Sequence, residues 1–399
     1  MNTKKKLNIL FLTARLPYPI IGGDRLKPYN IIKHLAKSHN VTLVSFYQGG
    51  EAPQEYTKAL ENLGAEVYAV PLYPIKAALN IFFTSLLKFP LEIGYYTQPK
   101  YKKLVDKLLS ERNFDLGFSF FMRTAEYLKK EKFKRILMAE DCRTLYQKRS
   151  FEDSANIKQK LVRWWEFRML KKYEPEIANY FDIVTLVTDE DINSMKAQNT
   201  NAKYKLLTNG VDIDYFTPPE SSNQRNGVLF SGKMDVWANE LMVKNIVEEI
   251  FPRILNEMPE AKLNIVGANP SKTIKSFQSN SISVTGTVPE VKPYLQNAQL
   301  FLHPHIGGSG IQNKLLEAMA CECPVVTTPT GIQGIPATNY KDVLIGKDYD
   351  ELAKHSIKIL KNNDFSNQIG TNARKMIVET HSWDSVFISL EKLIEELGL

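Results

Sequence analysis

Short apolar, β-rich runs recur along this chain with longer amphipathic stretches between them, in two series. Residues 8–13, 41–46, 66–70, 115–120, 135–139 and 182–187 read as strands, and 28–38, 55–63 and 101–112 between them show helical spacing. Strands and helices in this alternation need crossover connections, and so predict a parallel sheet with helices on both faces. A polar stretch at 209–226, with Pro218, Pro219, Ser221, Ser222 and Asn223, then interrupts the series as a linker does. Beyond it the alternation restarts. Residues 228–231, 262–266, 282–285, 300–304 and 324–328 read as strands, and 240–258, 289–298 and 311–320 as helices. Helices at 350–361, 364–380 and 383–399 close the chain. The expectation is α/β: two doubly wound domains of similar size with a cleft between them. Ligands in open α/β sheets bind beyond the carboxyl ends of the strands, which makes that cleft the expected site.

Composition removes several other classes. With 43% hydrophobic and 24% charged residues over 399 positions, the chain has ample material for packed cores and is not a disordered one. Three cysteines in this length point to a reducing compartment, and so to a cytoplasmic protein. The longest apolar window, 77–87, is well short of the roughly 20 residues a spanning helix needs. Lys4, Lys5 and Lys6 before 7–14 imitate a signal sequence. Asn8 interrupts that run, Arg15 ends it and no small-residue cleavage site follows, so a first buried strand is the better reading. The net charge of +7 suits anionic small molecules, a membrane surface or nucleic acid. Lysines interspersed with acids, and no nucleic-acid motif, set the last aside.

The segment richest in chemistry is 301–328. A strand ends at Pro304, a turn of Gly307, Gly308, Ser309 and Gly310 follows, and a helix is expected from Ile311. Free backbone N–H groups at such a helix start attract anions, and glycines let a ligand approach the backbone. Gly310, Asn313, Lys314 and Glu317 are expected on one helix face, with Leu315, Leu316 and Met319 on the buried side. A lysine one turn from the helix start suits a phosphate, and a carboxylate one turn further suits a ribose diol. The plain alternative is a solvated face carrying a Lys–Glu pair.

Other positions weigh less. Gly22-Gly23 follows the first strand and opens a helix, which fits backbone approach to a diphosphate or acceptor; with no third glycine, a nicotinamide site is a poor reading. Glu140 and Asp141 end a strand toward the expected cleft, where Asp141 either meets substrate or bridges locally. Asp189-Glu190-Asp191 reads as a helix start, not a metal site. Cys321 and Cys323 are too few for zinc. His303 and His305 read as polar lining or turn packing, and Trp164 and Trp165 as packing of a helix over 158–179.

An ordered set of landmarks resembles glycosyltransferase family 4, the retaining GT-B enzymes, over nearly the whole chain. They are Pro17-Tyr18-Pro19 with Gly22-Gly23-Asp24, Thr208-Asn209-Gly210-Val211-Asp212, and Phe230-Ser231-Gly232-Lys233-Met234-Asp235. Asn264-Ile265-Val266-Gly267, Val284-Thr285-Gly286-Thr287-Val288 and Lys314-Leu315-Leu316-Glu317-Ala318-Met319-Ala320 follow. The run Gly310-Ile311-Gln312-Asn313-Lys314 looks most like the exosortase-associated sugar-transferase subgroup.

The resemblance implies a GT-B fold with an acceptor-binding domain over 1–208 and a nucleotide-sugar-binding domain over 209–382. A helix over 383–399 would cross back onto the first domain. The family's second motif glutamate, the ribose ligand, falls at Glu317; its first, a contact to the donor sugar, is replaced by Ser309. Lys233 matches a family arginine, and the usual downstream lysine falls near Ala238 or Asn239, so Lys314 is expected to supply charge. Gly286 and Val288 fall where main-chain groups hold the nucleobase, and Asp141 near a contact to the donor hexose. Implied too are metal-independent retaining transfer, no cofactor beyond the nucleotide-diphosphate sugar donor, and a glycan or lipid-linked acceptor. A GT-B nucleotide-sugar epimerase and a non-catalytic nucleotide-sugar sensor or scaffold remain as alternatives.

One segment bears on location. Residues 75–89 carry Leu79, Ile81, Phe82, Phe83, Leu86, Leu87 and Phe89 between Lys76 and Lys88, and Arg25, Lys27, Lys33 and Lys37 give an early helix a basic side. Apolar bulk with flanking lysines predicts peripheral contact with an anionic membrane, at the inner face of the cytoplasmic membrane. Packing of this segment on the first domain is the alternative.

Overall fold

The computed structural model describes residues 5–20, 22–84, 88–152, 157–220, 225–307 and 310–399. The chain forms two units, Met1–Thr208 with Phe387–Leu399, and Asn209–Val386. In the first the order is β1 (Asn8–Thr13), α1 (Gly23–Leu35), β2 (Asn40–Gln48), α2 (Gln54–Glu61), β3 (Ala65–Leu72), α3 (Pro74–Thr84), α4 (Leu91–Tyr96) and α5 (Pro99–Glu111). There follow β4 (Leu116–Phe120), β5 (Lys134–Glu140), α6 (Arg143–Glu152), α7 (Ile157–Ala178), β6 (Ile183–Leu186), α8 (Asp189–Lys196) and β7 (Tyr204–Leu206). The sheet is parallel, in the order β3-β2-β1-β4-β5-β6-β7. Buried on both faces from Ile9 on, β1 is apolar over Ile9, Leu10, Phe11 and Leu12, and Phe11 stacks on Phe118 across the β1–β4 pair at 5.2 Å.

The second unit contains β8 (Val228–Ser231), α9 (Trp237–Asn245), α10 (Phe251–Glu257), β9 (Leu263–Val266), α11 (Lys272–Ser276), β10 (Ile282–Gly286) and α12 (Lys292–Asn297). It continues with β11 (Leu300–His303), α13 (Asn313–Ala320), β12 (Val325–Thr327), β13 (Leu344–Ile345), α14 (Tyr349–Lys361) and α15 (Asn363–His381), and with the start of α16 (Trp383–Glu396). Its parallel sheet runs β10-β9-β8-β11-β12-β13. Both units are thus Rossmann-like, as the strand–helix alternation predicts. The division between units falls inside α16, not at its start: from Phe387 onward the helix packs in the first unit. His34 stacks on Phe387 at 4.2 Å and bonds Glu391 at 3.0 Å, and Lys203 and Lys205 meet Glu396.

Several expectations need correction. The helix expected at 240–258 is α9, a π-helical turn at Ile246–Ile250 and α10, because Pro252 has no N–H to continue an α-helical ladder. The early helix begins at Gly23, five residues before the expected 28. Lys27 is no part of its basic side: it lies on the buried stripe with Pro28, Ile31, Ile32 and Leu35. Phe89 packs edge-on against Tyr173 at 6.0 Å and is not an interfacial residue. The side chains of Phe82 and Phe83, together with Leu86 and Leu87, lie outside the described residues, as do Ser221, Ser222 and Asn223 of the linker. Trp164 does not pack the core either; it is 43% exposed, under the Arg168 guanidinium. No helix among the described residues is long and apolar enough to cross a membrane.

Candidate functional site

The second sheet reverses its winding direction between β8 and β11, which leaves a crevice at the carboxyl ends of these two strands. Gly232 and Lys233 leave β8 there, and the chain leaving β11 leads to α13. Backbones meet closely at this edge. A Cβ on Gly267 (φ +152°) would lie 1.7 Å from the Gly232 carbonyl oxygen, so only glycine serves there. The Gly232 N–H bonds the Val266 carbonyl at 3.0 Å, and Gly286 (φ +74°) closes β10 with open space on its Cβ side.

Lys314 enters the same crevice from α13. Its Nζ donates to Asn239 Oδ1 at 2.7 Å and stands 5.1 Å from the Phe230 ring centre. A Cβ on Gly232 would meet that Nζ at 3.1 Å, so the ammonium lies against the β8 turn. Asn239 also donates from Nδ2 to the Lys233 carbonyl at 2.8 Å, tying the β8 turn to the Lys314 side chain. Glu317 is one turn further along α13 and half-buried. Among the described residues its carboxylate has no hydrogen bond and no ion pair, not even with Lys314. Burial pushes this carboxyl up to about 7 against the pull of Lys314, and pushes the Lys314 ammonium down to about 8 against the pull of Glu317. The Lys–Glu pair of the plain alternative is therefore not formed.

His303, at the end of β11, is fully buried. Thr327 Oγ1 donates to the His303 carbonyl at 2.8 Å, so it accepts from His303 Nδ1 at 3.2 Å. Burial first, then Lys314 and His305, hold this imidazole well below its ordinary value. It is neutral, with Nε2 as a bare acceptor that has no partner among the described residues.

The helix starts at Asn313, not at Ile311, so Gly310 (φ +75°) and the buried Ile311 precede it and do not share the face of Lys314 and Glu317. Asn313 accepts through Oδ1 from Asn209 at 2.9 Å. Lys233 is exposed and pairs with Asp235 at 3.5 Å. Val288 is half-buried, two residues beyond β10. Gly308 and Ser309 lie outside the described residues.

The first-unit candidates are in a different setting. Gly22 (φ +93°) caps α1, Gly23 begins it, and Asp24 pairs with Arg15 at 2.7 Å. Asp141 meets Arg143 at 3.4 Å, and Arg143 also forks onto Glu92 at 3.0 and 3.2 Å. Glu140 (φ +71°) does not line an open edge: it is buried against Lys27, whose Nζ donates to both carboxylate oxygens at 2.9 and 3.0 Å and to the Leu207 carbonyl at 2.7 Å. Sequence reasoning missed Asn239 as the partner of Lys314, and Lys27 as that of Glu140. The spacing of Lys27 to Ile31 and Leu35 was the signal available for the second.

Residues 225–362 match the family described as Glycosyl transferases group 1. A 44.6 kDa protein of the cps region of Klebsiella pneumoniae is 25% identical over 96% of this chain and 99% of its own. Sucrose-phosphate synthase from Thermosynechococcus elongatus superposes with a TM-score of 0.73 at 13% identity, over 98% of this chain and 99% of that one. The Anabaena HepE protein, in complex with UDP and glucose, gives 0.67 at 14% identity over 98% of this chain and all of its own. The fold is GT-B, and the family match supports a glycosyltransferase.

Proposed function

We propose that this chain is a retaining glycosyltransferase of family 4, nearest the exosortase-associated subgroup. It moves a hexose from a nucleotide-diphosphate sugar to a glycan or lipid-linked acceptor in cell-surface polysaccharide or glycoconjugate synthesis, at the cytoplasmic side of the membrane. The observation that carries the reading is Glu317: a half-buried carboxylate, unpartnered among the described residues, one turn from a lysine fixed at the mouth of β8. A half-buried carboxylate that no neighbour satisfies is free to accept from a ligand, and a ribose diol supplies two donors. The relative in a cps region and the neighbour holding UDP and glucose support the reading.

In this reading Glu317 holds the ribose, and Gly286 and Val288 hold the base by main-chain groups. Lys314, Lys233 and the backbone N–H groups after Gly310 and Ile311 take the charge of the departing diphosphate; Gly232 keeps the approach open and Asn313 fixes the turn. Acceptor attack on the same face from which the diphosphate leaves preserves the anomeric configuration, and a diphosphate oxygen takes the acceptor proton. Ser309 offers the donor sugar a hydroxyl in place of a carboxylate. Gly22, Gly23, Asp24 and Asp141 are the first unit's contribution to substrate contact. No metal and no further cofactor take part.

The test is a panel of nucleotide sugars scored by thermal stabilisation and by slow nucleotide release, with wild type and Glu317→Gln. Wild type should be stabilised by one nucleotide class. Glu317→Gln should bind that donor about tenfold to a hundredfold less tightly with its melting temperature retained, as loss of a charge-assisted bond requires. An inert panel would favour a scaffold, and free nucleotide with an altered sugar and no acceptor product would favour an epimerase. Lost stability with donor binding intact would make Glu317 structural.

A further inference from the structure

We propose that the outer face of α7, in the first unit, docks on an anionic lipid surface. From Glu166 onward its inner face is engaged: Glu166, Leu170, Tyr173, Glu174, Ile177 and Ala178 are buried. Glu166 accepts the N–H groups of Leu91 and Glu92 at the start of α4. The outer face of its first half is different. Ile157, Leu161 and Trp164, spaced i, i+4, i+7, are 74, 64 and 43% exposed, and Arg168 continues the same stripe. Large apolar side chains aligned in water on one helix face mark an interaction surface, whereas scattered ones do not.

Charge identifies the occupant. Residues 157–172 carry Lys158, Lys160, Arg163, Arg168, Lys171 and Lys172 against one acid, the buried Glu166. An apolar stripe with tryptophan, bordered by cations, matches the headgroup–acyl boundary of an anionic bilayer. A second copy of the chain is a poor match, since a two-fold contact through this face would oppose like charges. Nucleic acid is poor too, because Ile157 and Leu161 have nothing to meet on a phosphate backbone. Exposed apolar side chains recur on α3 of the same unit. The helix α4 that Glu166 caps packs on α3, where Ile75 and Leu79 are 78 and 58% exposed and Lys76 lies over the Tyr73 ring.

The experiment is flotation of the full chain with phosphatidylcholine vesicles, with and without phosphatidylglycerol, at low and high salt. No nucleotide or acceptor is present, so the result is independent of the transfer reaction. Wild type should float only with phosphatidylglycerol vesicles, and less so in high salt. Lys171→Glu/Lys172→Glu should weaken binding by about fivefold or more per lysine. Leu161→Gln/Trp164→Gln should weaken it while leaving the residual salt dependence. All four residues are exposed, so melting temperatures should hold; if one pair unfolds, the other decides. Wild type left in the soluble fraction at low salt, or both folded variants floating like wild type, overturns the proposal. So does concentration-dependent dimerisation that Leu161→Gln/Trp164→Gln abolishes without change in flotation, which would assign the face to self-association.

Discussion

The first unit buries charge with partners, whereas the crevice of the second holds half-buried charge without ionic ones. In the first, each buried charge faces a counter-charge or a set of donors. Lys27 forks onto Glu140 and the Leu207 carbonyl, Arg143 forks onto Glu92, and Glu174 accepts the N–H groups of Arg143 and Thr144, both at 2.7 Å. Burial pulls Lys27 down and Glu140 up, and each charge pulls the other back. In the second, Lys314 has only an amide oxygen and a ring face, and Glu317 has neither ion pair nor hydrogen bond among the described residues. A paired buried charge is explained by folding; a half-buried one without an ionic partner, at a crevice, is explained by what it meets afterwards.

The largest effect that can break this comparison is on stability. Lys27→Met leaves Glu140 buried and alone, and should cost about 3–5 kcal/mol in urea unfolding. Lys314→Met removes a charge with no ionic partner, so its unfolding midpoint should stay near that of wild type or rise. If the two variants lose equal stability, the contrast between the units fails.

The next effect sharpens it through ligand. Lys314→Met should weaken binding of the nucleoside diphosphate leaving group about tenfold to a hundredfold, the range for a charge-assisted bond. Titration calorimetry reads this, with Lys27→Met as the control: it should bind normally at temperatures where it is folded. Equal weakening by both variants would mean that Lys314 acts only through the fold.

The strands were legible because buried parallel strands are continuous apolar runs, and β1 and β8 lie at the expected residues. The edge strands β7 and β13, of three and two residues, were not, since too few side chains exist to make a pattern. At the site, the spacing of Lys314 and Glu317 was readable. Their failure to pair was not, because it depends on Asn239, 75 residues away in sequence, drawing the ammonium toward β8. The start of α13 was misplaced by two residues because Gly310 at positive φ holds the turn open, and nothing in the sequence there acts as a side-chain cap. Lys27 was misread because a lysine on an amphipathic helix is usually solvated; its carboxylate, 113 residues on, is what lets it enter the core.

A smaller effect lies in pH. With Glu317 raised from 4.5 to about 7, the folded chain keeps a proton between those values that the unfolded chain has released. Stability therefore falls as pH rises through that window. With Lys314 lowered from 10.5 to about 8, the unfolded chain holds the extra proton, so stability recovers as pH rises from 8 to 10.5. Glu317→Gln should lose the first arm and gain stability relative to wild type between pH 4.5 and 7, read by urea midpoints. A wild-type–variant difference that stays flat across that window would show a solvated Glu317.

The smallest expected effect is none, and it tests which unit carries the counter-charge of the reaction. Two of the three acids at 189–191 in the first unit, Glu190 and Asp191, are tied into the fold. Thr188 caps α8 by accepting the Asp191 N–H, Asp191 accepts the Cys142 N–H at 2.9 Å, and Glu190 pairs with Arg149 at 2.8 Å. Burial lifts the Asp191 carboxyl to about 6, the reverse of what a cation ligand needs. In the proposed reaction the departing diphosphate is met by Lys314 and Lys233, which are bound covalently and cannot be chelated away. Transfer assayed with the donor found in the panel should therefore proceed unchanged in EDTA. Complete loss on chelation, restored by Mn²⁺ or Mg²⁺, would move the counter-charge from the second unit's lysines to a metal, and Asp189 and Asp191 would be the first side chains to replace.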